Sequence, residues 1–163
     1  MERKATALGE LHLISEAFGE SSSGTFIGCF GALDGLAVRI ECPSSNVVPD
    51  PSAYFCRKNI YALNVQAICN KSKVFLWFSS GHKGSTHDSL AFRETDLYEK
   101  LKAVEEKLLA EGLFLVGDSA YPLMGFLLVP YEGVKTLSEE DSFNFWLSNS
   151  RIQIECAFGE LAM

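Results

Sequence analysis

The sequence predicts an α/β fold, a mixed sheet flanked by helices. Three observations carry that prediction: short apolar runs with the length and residue choice of strands, one long amphipathic segment between two of them, and aspartates placed where apolar runs stop or bend. Residues 1–25 read as a short N-terminal segment, amphipathic and closed by the small polar run Ser21–Gly24, and residues 26–163 read as one domain. Phe26 to Ile40 is largely apolar or small and reads as a strand interrupted or bent around Asp34-Gly35. Pro43, Pro49 and Pro51 then enforce a loop, because proline fixes φ and donates no backbone hydrogen bond. Tyr61–Cys69 and Val74–Phe78 follow as two strands, and the polar turn Asn70–Lys73 between them makes a hairpin.

Gly81 to Asp88 is loop-like in composition. Thr95 to Ala110 places Leu97, Leu101, Val104, Leu108 and Leu109 at helical spacing, which predicts a single amphipathic helix ended by Gly112. Leu113–Val116 is a short strand with Gly117-Asp118 where it stops, and Phe126–Val129 is another before Pro130. Ser138, with Asp141 three residues on, caps a last helix running to about Phe158. A helix between strands makes a right-handed crossover to a parallel neighbour, so the strand ending at Asp118 is expected beside the one carrying Asp34. Two carboxylates distant in sequence then meet at one edge of the sheet. This is the ribonuclease-H-like arrangement.

The bulk composition fits that fold. A chain of 163 residues, 47% hydrophobic and 21% charged, carries enough apolar material for one substantial core. No run of about 18 apolar residues occurs, so no membrane partner is expected, and the chain reads as soluble and intracellular. The five cysteines form no C-x-x-C pair and read as reduced, mostly buried residues. A net charge of −7 argues against a surface that binds nucleic acid unaided. That objection shrinks where carboxylates belong to a metal site, since bound divalent ions cancel their charge.

Phosphodiester cleavage by two metal ions needs three or four carboxylates, and hard oxygen ligands select Mg²⁺ or Mn²⁺. Asp34 and Asp118 end or interrupt apolar strands beside glycine, although each taken alone reads as a turn aspartate. Glu155 shares a polar helical stripe with Asn144, Ser148 and Arg151, and the plainer reading is a solvated face with an Arg151–Glu155 pair. Asp88 is a fourth acid, read as a ligand, as the group orienting His87, or as a helix-entry cap. His87 is an accessory candidate for proton transfer or an incidental loop histidine. Arg57, Lys58, Lys83 and Arg151 are candidate DNA contacts or plain surface charge. The Gly81-His-Lys-Gly-Ser85 run lacks the spacing of a phosphate loop, which excludes a nucleotide cofactor.

Five blocks, Gly31–Gly35, Arg57-Lys58 with Leu63–Ala67, Gly84–Ser89, Gly117–Pro122 and Ile154–Gly159, resemble in order the catalytic-core motifs of the Harbinger transposases. The resemblance implies a DDE nuclease catalytic core over 26–163, truncated at both ends relative to members of that family. It also implies an acidic triad of Asp34, Asp118 and Glu155, with Asp88 as a further acid at the metal, and Mg²⁺ or Mn²⁺ as cofactor. Nuclear localisation with a cytoplasmic pool is expected, as is sequence recognition supplied by a Myb-like DNA-binding partner. The chain departs from the family pattern at Leu36-Ala37, in place of a Thr-His pair, and at Cys156 and Glu160, in place of basic residues. Those departures predict weak DNA binding by the chain alone. Two rivals stay open: a catalytically inactive, domesticated protein-binding module, and a decayed transposase fragment.

Overall fold

The computed structural model describes residues 7–161, which form a five-stranded mixed sheet with helices on both faces. The elements are α1 (Ala7–Ser21), β1 (Cys29–Arg39), β2 (Ala62–Cys69), β3 (Phe75–Lys83), α2 (Asp88–Arg93), α3 (Asp96–Ala103), α4 (Glu105–Glu111), β4 (Phe114–Val116), β5 (Leu127–Leu128) and α5 (Glu139–Leu161). The strand order is β3-β2-β1-β4-β5. β1 and β3 run antiparallel to β2, and β4 runs parallel to both β1 and β5. This is the ribonuclease-H-like arrangement expected from the element order, with β4 beside β1.

Alternation along the strands divides the core in two. Ala32 and Val116 face the layer built with Phe18 of α1 and Leu147, Ile154, Ala157 and Phe158 of α5. Leu33 and Leu115 face the other layer, with Phe92 of α2, Leu101 of α3, Leu108 of α4, Tyr121 and Phe126. The N-terminal segment contributes to this packing, since Phe18 is fully buried. Among the described residues no helix is long and apolar enough to cross a membrane. All five cysteines are free; Cys29, Cys56 and Cys69 are buried, Cys42 and Cys156 exposed.

Four elements differ from the sequence reading. β1 is not interrupted at Asp34-Gly35: its ladder with β2 runs unbroken from Ala32 to Arg39, and the irregularity lies earlier, between Cys29 and Gly31. β3 continues past Phe78 to Lys83, because a bulge opposite residues 64–66 restores pairing of His82 with Asn64 and the edge position leaves Gly81 unhindered. The single helix over Thr95–Ala110 is two, broken at Val104, whose ψ of 13° leaves the helical range. Just after the break, the Glu105 carboxylate accepts from the Gly125 amide at 2.9 Å. Finally, Asp88 opens a six-residue helix that the loop-like composition concealed.

Other turns follow their sequence signals. The Asn70 side chain accepts from Ser72 and Val74 amides at 3.0 Å each and closes the hairpin. Ser138 Oγ accepts from the Asp141 amide while Asp141 accepts from the Leu137 amide, a reciprocal cap at the start of α5.

Gly28 joins the parallel pair. It has φ of +91°, its carbonyl accepts from Phe114 N at 3.0 Å, and an added methyl group would meet Gly112 O at 1.9 Å. Gly28→Ala is therefore expected to destabilise the fold by more than about 1 kcal/mol, measured by urea denaturation. An unchanged midpoint would show that this close approach does not hold β1 and β4 together.

Candidate active site

The parallel register carries two acids to one place. Ala32 pairs with Val116, the last residue of β4, so Asp118, two residues past that strand's end, comes near Asp34 in mid-β1, close enough for their charges to interact. Both continue the side of the sheet that α5 covers. Asp34 is partly buried, with its side chain 17% exposed, and its Oδ1 accepts from the Gly35 amide at 2.8 Å. Asp118 Oδ1 accepts from the Ala120 amide at 2.9 Å, so this residue also shapes the turn after β4.

Helix α5 brings Arg151 and Glu155. The Arg151 guanidinium lies 3.4 Å from Asp34 Oδ2 and 3.7 Å from Glu155 Oε1, bridging the two carboxylates. Its side chain is only 14% exposed and its buried Nε has no hydrogen-bond partner. Arg151 is thus chiefly the partner of Asp34, and Glu155, 59% exposed, stands on its outer side. Burial pushes the Asp34 carboxyl up to about 6, the Gly35 amide and Arg151 counteract this, and the charges of Asp118 and Asp88 add to it.

Asp88 stands on the opposite face of β1. A methyl group on Gly35 would lie 2.1 Å from Asp88 Oδ1, which puts that carboxylate on the side away from the Asp34 side chain. Asp88 Oδ1 accepts from Asn64 Nδ2 at 2.8 Å and from Gln66 Nε2 at 3.0 Å. Gln66, wholly buried, also donates to Asn64 Oδ1 and accepts from the Tyr121 hydroxyl at 2.7 Å. Asn64 Nδ2 further donates to Thr86 O at 2.9 Å. Burial and the nearby charges of Asp88, Asp34 and Asp118 push the Tyr121 phenol above its ordinary range, so it remains a donor.

Asn64, Gln66 and Tyr121 were not singled out from sequence, although all three lie inside recognised blocks. The available signal was two carboxamides at a spacing of two in an otherwise apolar strand. His87 is exposed at the start of α2 and makes no side-chain cap. Arg57 and Lys58 are exposed on a turn, and Lys83 is exposed at the end of β3.

For a divalent cation, the donor chemistry fits. Asp34 and Asp118 offer hard oxygens at a point where burial leaves negative charge under-compensated. Yet among the described residues no group of three or more His, Cys, Asp or Glu side chains is disposed to hold a metal ion. Asp88 is engaged on the other face, and Arg151 intervenes before Glu155.

The mixed sheet with aspartates on β1 and just after β4, and an acid-bearing helix above them, is the ribonuclease-H-like arrangement. The chain belongs to the DDE superfamily endonuclease family, which it matches over residues 33–163, and this bears out the resemblance carried by the five sequence blocks. It is also similar to Protein ALP1-like of Arabidopsis thaliana, at 28% identity over 127 residues. That alignment covers 71% of this chain and 30% of the relative, so the chain spans less than a third of that protein's length. No solved structure matches.

Two measurements test this site. Gln66→Leu is expected to cost about 1–3 kcal/mol, because the Tyr121 hydroxyl and the Asp88 carboxylate lose a buried partner. Urea denaturation that finds no loss would show that the network is dispensable. Because the Asp34 pKa is raised on folding, its protonated form favours the folded state: the contribution is complete below about pH 4 and is lost as pH rises through about 6. Unfolding free energy should fall across that window by on the order of 2 kcal/mol, and Asp34→Asn should flatten the fall. The same slope in both proteins would assign the pH dependence to another group.

Proposed function

We propose that the chain is the catalytic core of a divalent-metal-dependent DNA endonuclease or strand-transfer enzyme derived from a Harbinger-type transposase. Asp34 and Asp118 are its central carboxylates and Glu155 its third acid. The observation that carries this reading is the β1–β4 register, which brings Asp118 near Asp34 in a chain that belongs to a DDE endonuclease family. Mg²⁺ or Mn²⁺, when bound, supplies Lewis-acid stabilisation of the attacking and leaving oxygens. Asp34 and Asp118 would hold it, with Glu155 joining when Arg151 releases it.

The remaining residues position and protect. Burial of Asp34 limits water at the reacting phosphate and strengthens every charge interaction there. Asp88, held by Asn64 and Gln66, fixes the 84–88 loop against the sheet and serves as a positioning residue. His87, exposed beside it, can exchange a proton with a phosphate oxygen lying along that loop. Arg57, Lys58 and Lys83 offer phosphate contacts, too few for tight binding by a chain of net charge −7. A Myb-like partner supplies sequence recognition, and the site of action is the nucleus, with a cytoplasmic pool.

The second reading, a catalytically inactive protein-binding module, draws on the Arg151 bridge, which already gives Asp34 a cationic partner without a metal. Thermal melts with Mn²⁺ separate the two. A metal-binding core gains roughly 2.7 kcal/mol at an ion concentration about 100-fold above Kd, and Asp118→Asn should fold yet lose the gain. Cleavage of duplex DNA should disappear in the same variant. A wild-type melt that Mn²⁺ leaves unmoved favours the inactive module.

A further inference from the structure

Beside Asp88 lies a cavity of about 210 Å³ that the carboxylates do not use. Gly35, Ala37, Asn64 and Asp88 line its interior, residues 84–87 form one wall, and Arg57 and Lys58 stand among its lining residues. It also reaches Ala120, whose amide donates to Asp118 Oδ1, while Gly35 and Asp88 set it on the face of β1 away from the Asp34 side chain.

Its walls are fixed before any ligand arrives. The basic turn is closed by Cys56 N to Ile60 O and Asn59 N to Cys56 O, both at 2.9 Å, with Asn59 at φ of +59°. The Phe55 and Tyr61 rings, 5.2 Å apart, clamp its base. Opposite, Ser85 N donates to Ala53 O at 3.2 Å, Asn64 holds Thr86 O, and Gly84 packs so closely that a methyl group would meet Tyr54 O and Ala62 O at 2.6 Å.

Among the described residues neither Arg57 nor Lys58 forms an ion pair, although acids outnumber bases 21 to 14 in this chain. Two adjacent unpaired cations on a rigid turn attract an anion. The Asp88 carboxylate inside repels one, so the anionic group stays with the basic turn and a neutral body with N–H donors enters. Gly35, Ala37, Gly84 and Ser85 keep part of the wall low, which leaves room for a flat ring among the polar side chains. The volume is below the roughly 300–1,000 Å³ of drug-sized pockets, which excludes a duplex and leaves room for a single base.

We propose that this cavity seats one unstacked nucleotide of the DNA strand, at the turn that carries Asp118 and on the face of β1 away from the Asp34 side chain. The base lies inside against the 84–87 wall and its phosphate rests on Arg57 and Lys58. The proposal rests on the DNA-processing reading for the source of the nucleotide, and its test needs no metal. Unstacking a base costs a few kcal/mol, which a preformed seat offsets.

The full chain, ¹⁵N-labelled and metal-free, is titrated with a deoxynucleoside 5′-monophosphate, with the matching deoxynucleoside and with inorganic phosphate, each to millimolar concentration. The monophosphate should shift amides at 56–58 and 84–88 and bind more tightly than either fragment. The Arg57→Ala/Lys58→Ala double variant should weaken that binding by about tenfold or more with an unchanged melting temperature. Ala37→Phe, which fills the cavity and keeps both cations, should abolish it in a chain that still melts cooperatively. Inorganic phosphate shifting the same amides with equal affinity, no response at 84–88, or undiminished binding in the double variant would each overturn the proposal. Mn²⁺ binding without nucleotide binding sinks this inference alone, whereas nucleotide binding without Mn²⁺ binding supports it and sinks the metal-dependent enzyme.

Discussion

The buried carboxamide of Gln66 is the interaction on which the rest of the acid-bearing end depends. One side chain joins three segments distant in sequence: its oxygen takes the Tyr121 hydroxyl from the turn after β4, and its nitrogen serves Asp88 at the start of α2 and Asn64 on its own strand. A wholly buried amide must satisfy both ends or cost several kcal/mol, so these partners have to arrive together. That requirement fixes the Asp118–Tyr121 turn and the 84–88 loop relative to β2. Gly35 completes the arrangement by leaving space where any side chain would collide with Asp88 and Gln66.

The sheet then sorts the four acids in a way that composition does not reveal. Asp34 and Asp118 share a face because each lies two residues beyond a paired position of the parallel register, and α5 covers that face with Ile154 and Leu147. Asp88 is next to Gly35 and therefore on the other side, where its hydrogen bonds come from carboxamides. The acids thus divide into a pair on the face that α5 covers, with Glu155 nearby, and one that anchors the supporting loop. A strand one residue out of register would exchange these roles, because side-chain direction alternates.

Much of this was legible from sequence, for definite reasons. Strand runs such as Tyr61–Cys69, the Gly112 helix stop and the Ser138–Asp141 cap are local signals, and the structure honours them because local and tertiary preferences agree. The crossover rule placed Asp118 beside Asp34. What escaped was decided by distant partners. Just after the Val104 break Glu105 bonds Gly125, and the length of β3 serves pairing with residues 63–64. Gly35 read as a bend, while its actual purpose is room for Asp88. Arg151 read as the surface partner of Glu155, but the tilt of α5 onto the sheet buries it against Asp34.

The electrostatic balance at Asp34 says most about how the face under α5 is built. A guanidinium 3.4 Å away ordinarily holds a carboxylate below its usual range, yet burial and two neighbouring aspartates outweigh it and Asp34 stands near 6. One arginine therefore under-compensates the site. A buried ion pair is not self-sufficient when its desolvation exceeds its attraction, and the partnerless Nε of Arg151 adds to that cost. A doubly charged cation binding Asp34 and Asp118 would meet the deficit and free Arg151 to accompany Glu155 or a DNA phosphate. In the structure as it stands, Arg151 holds Asp34 and Glu155 together.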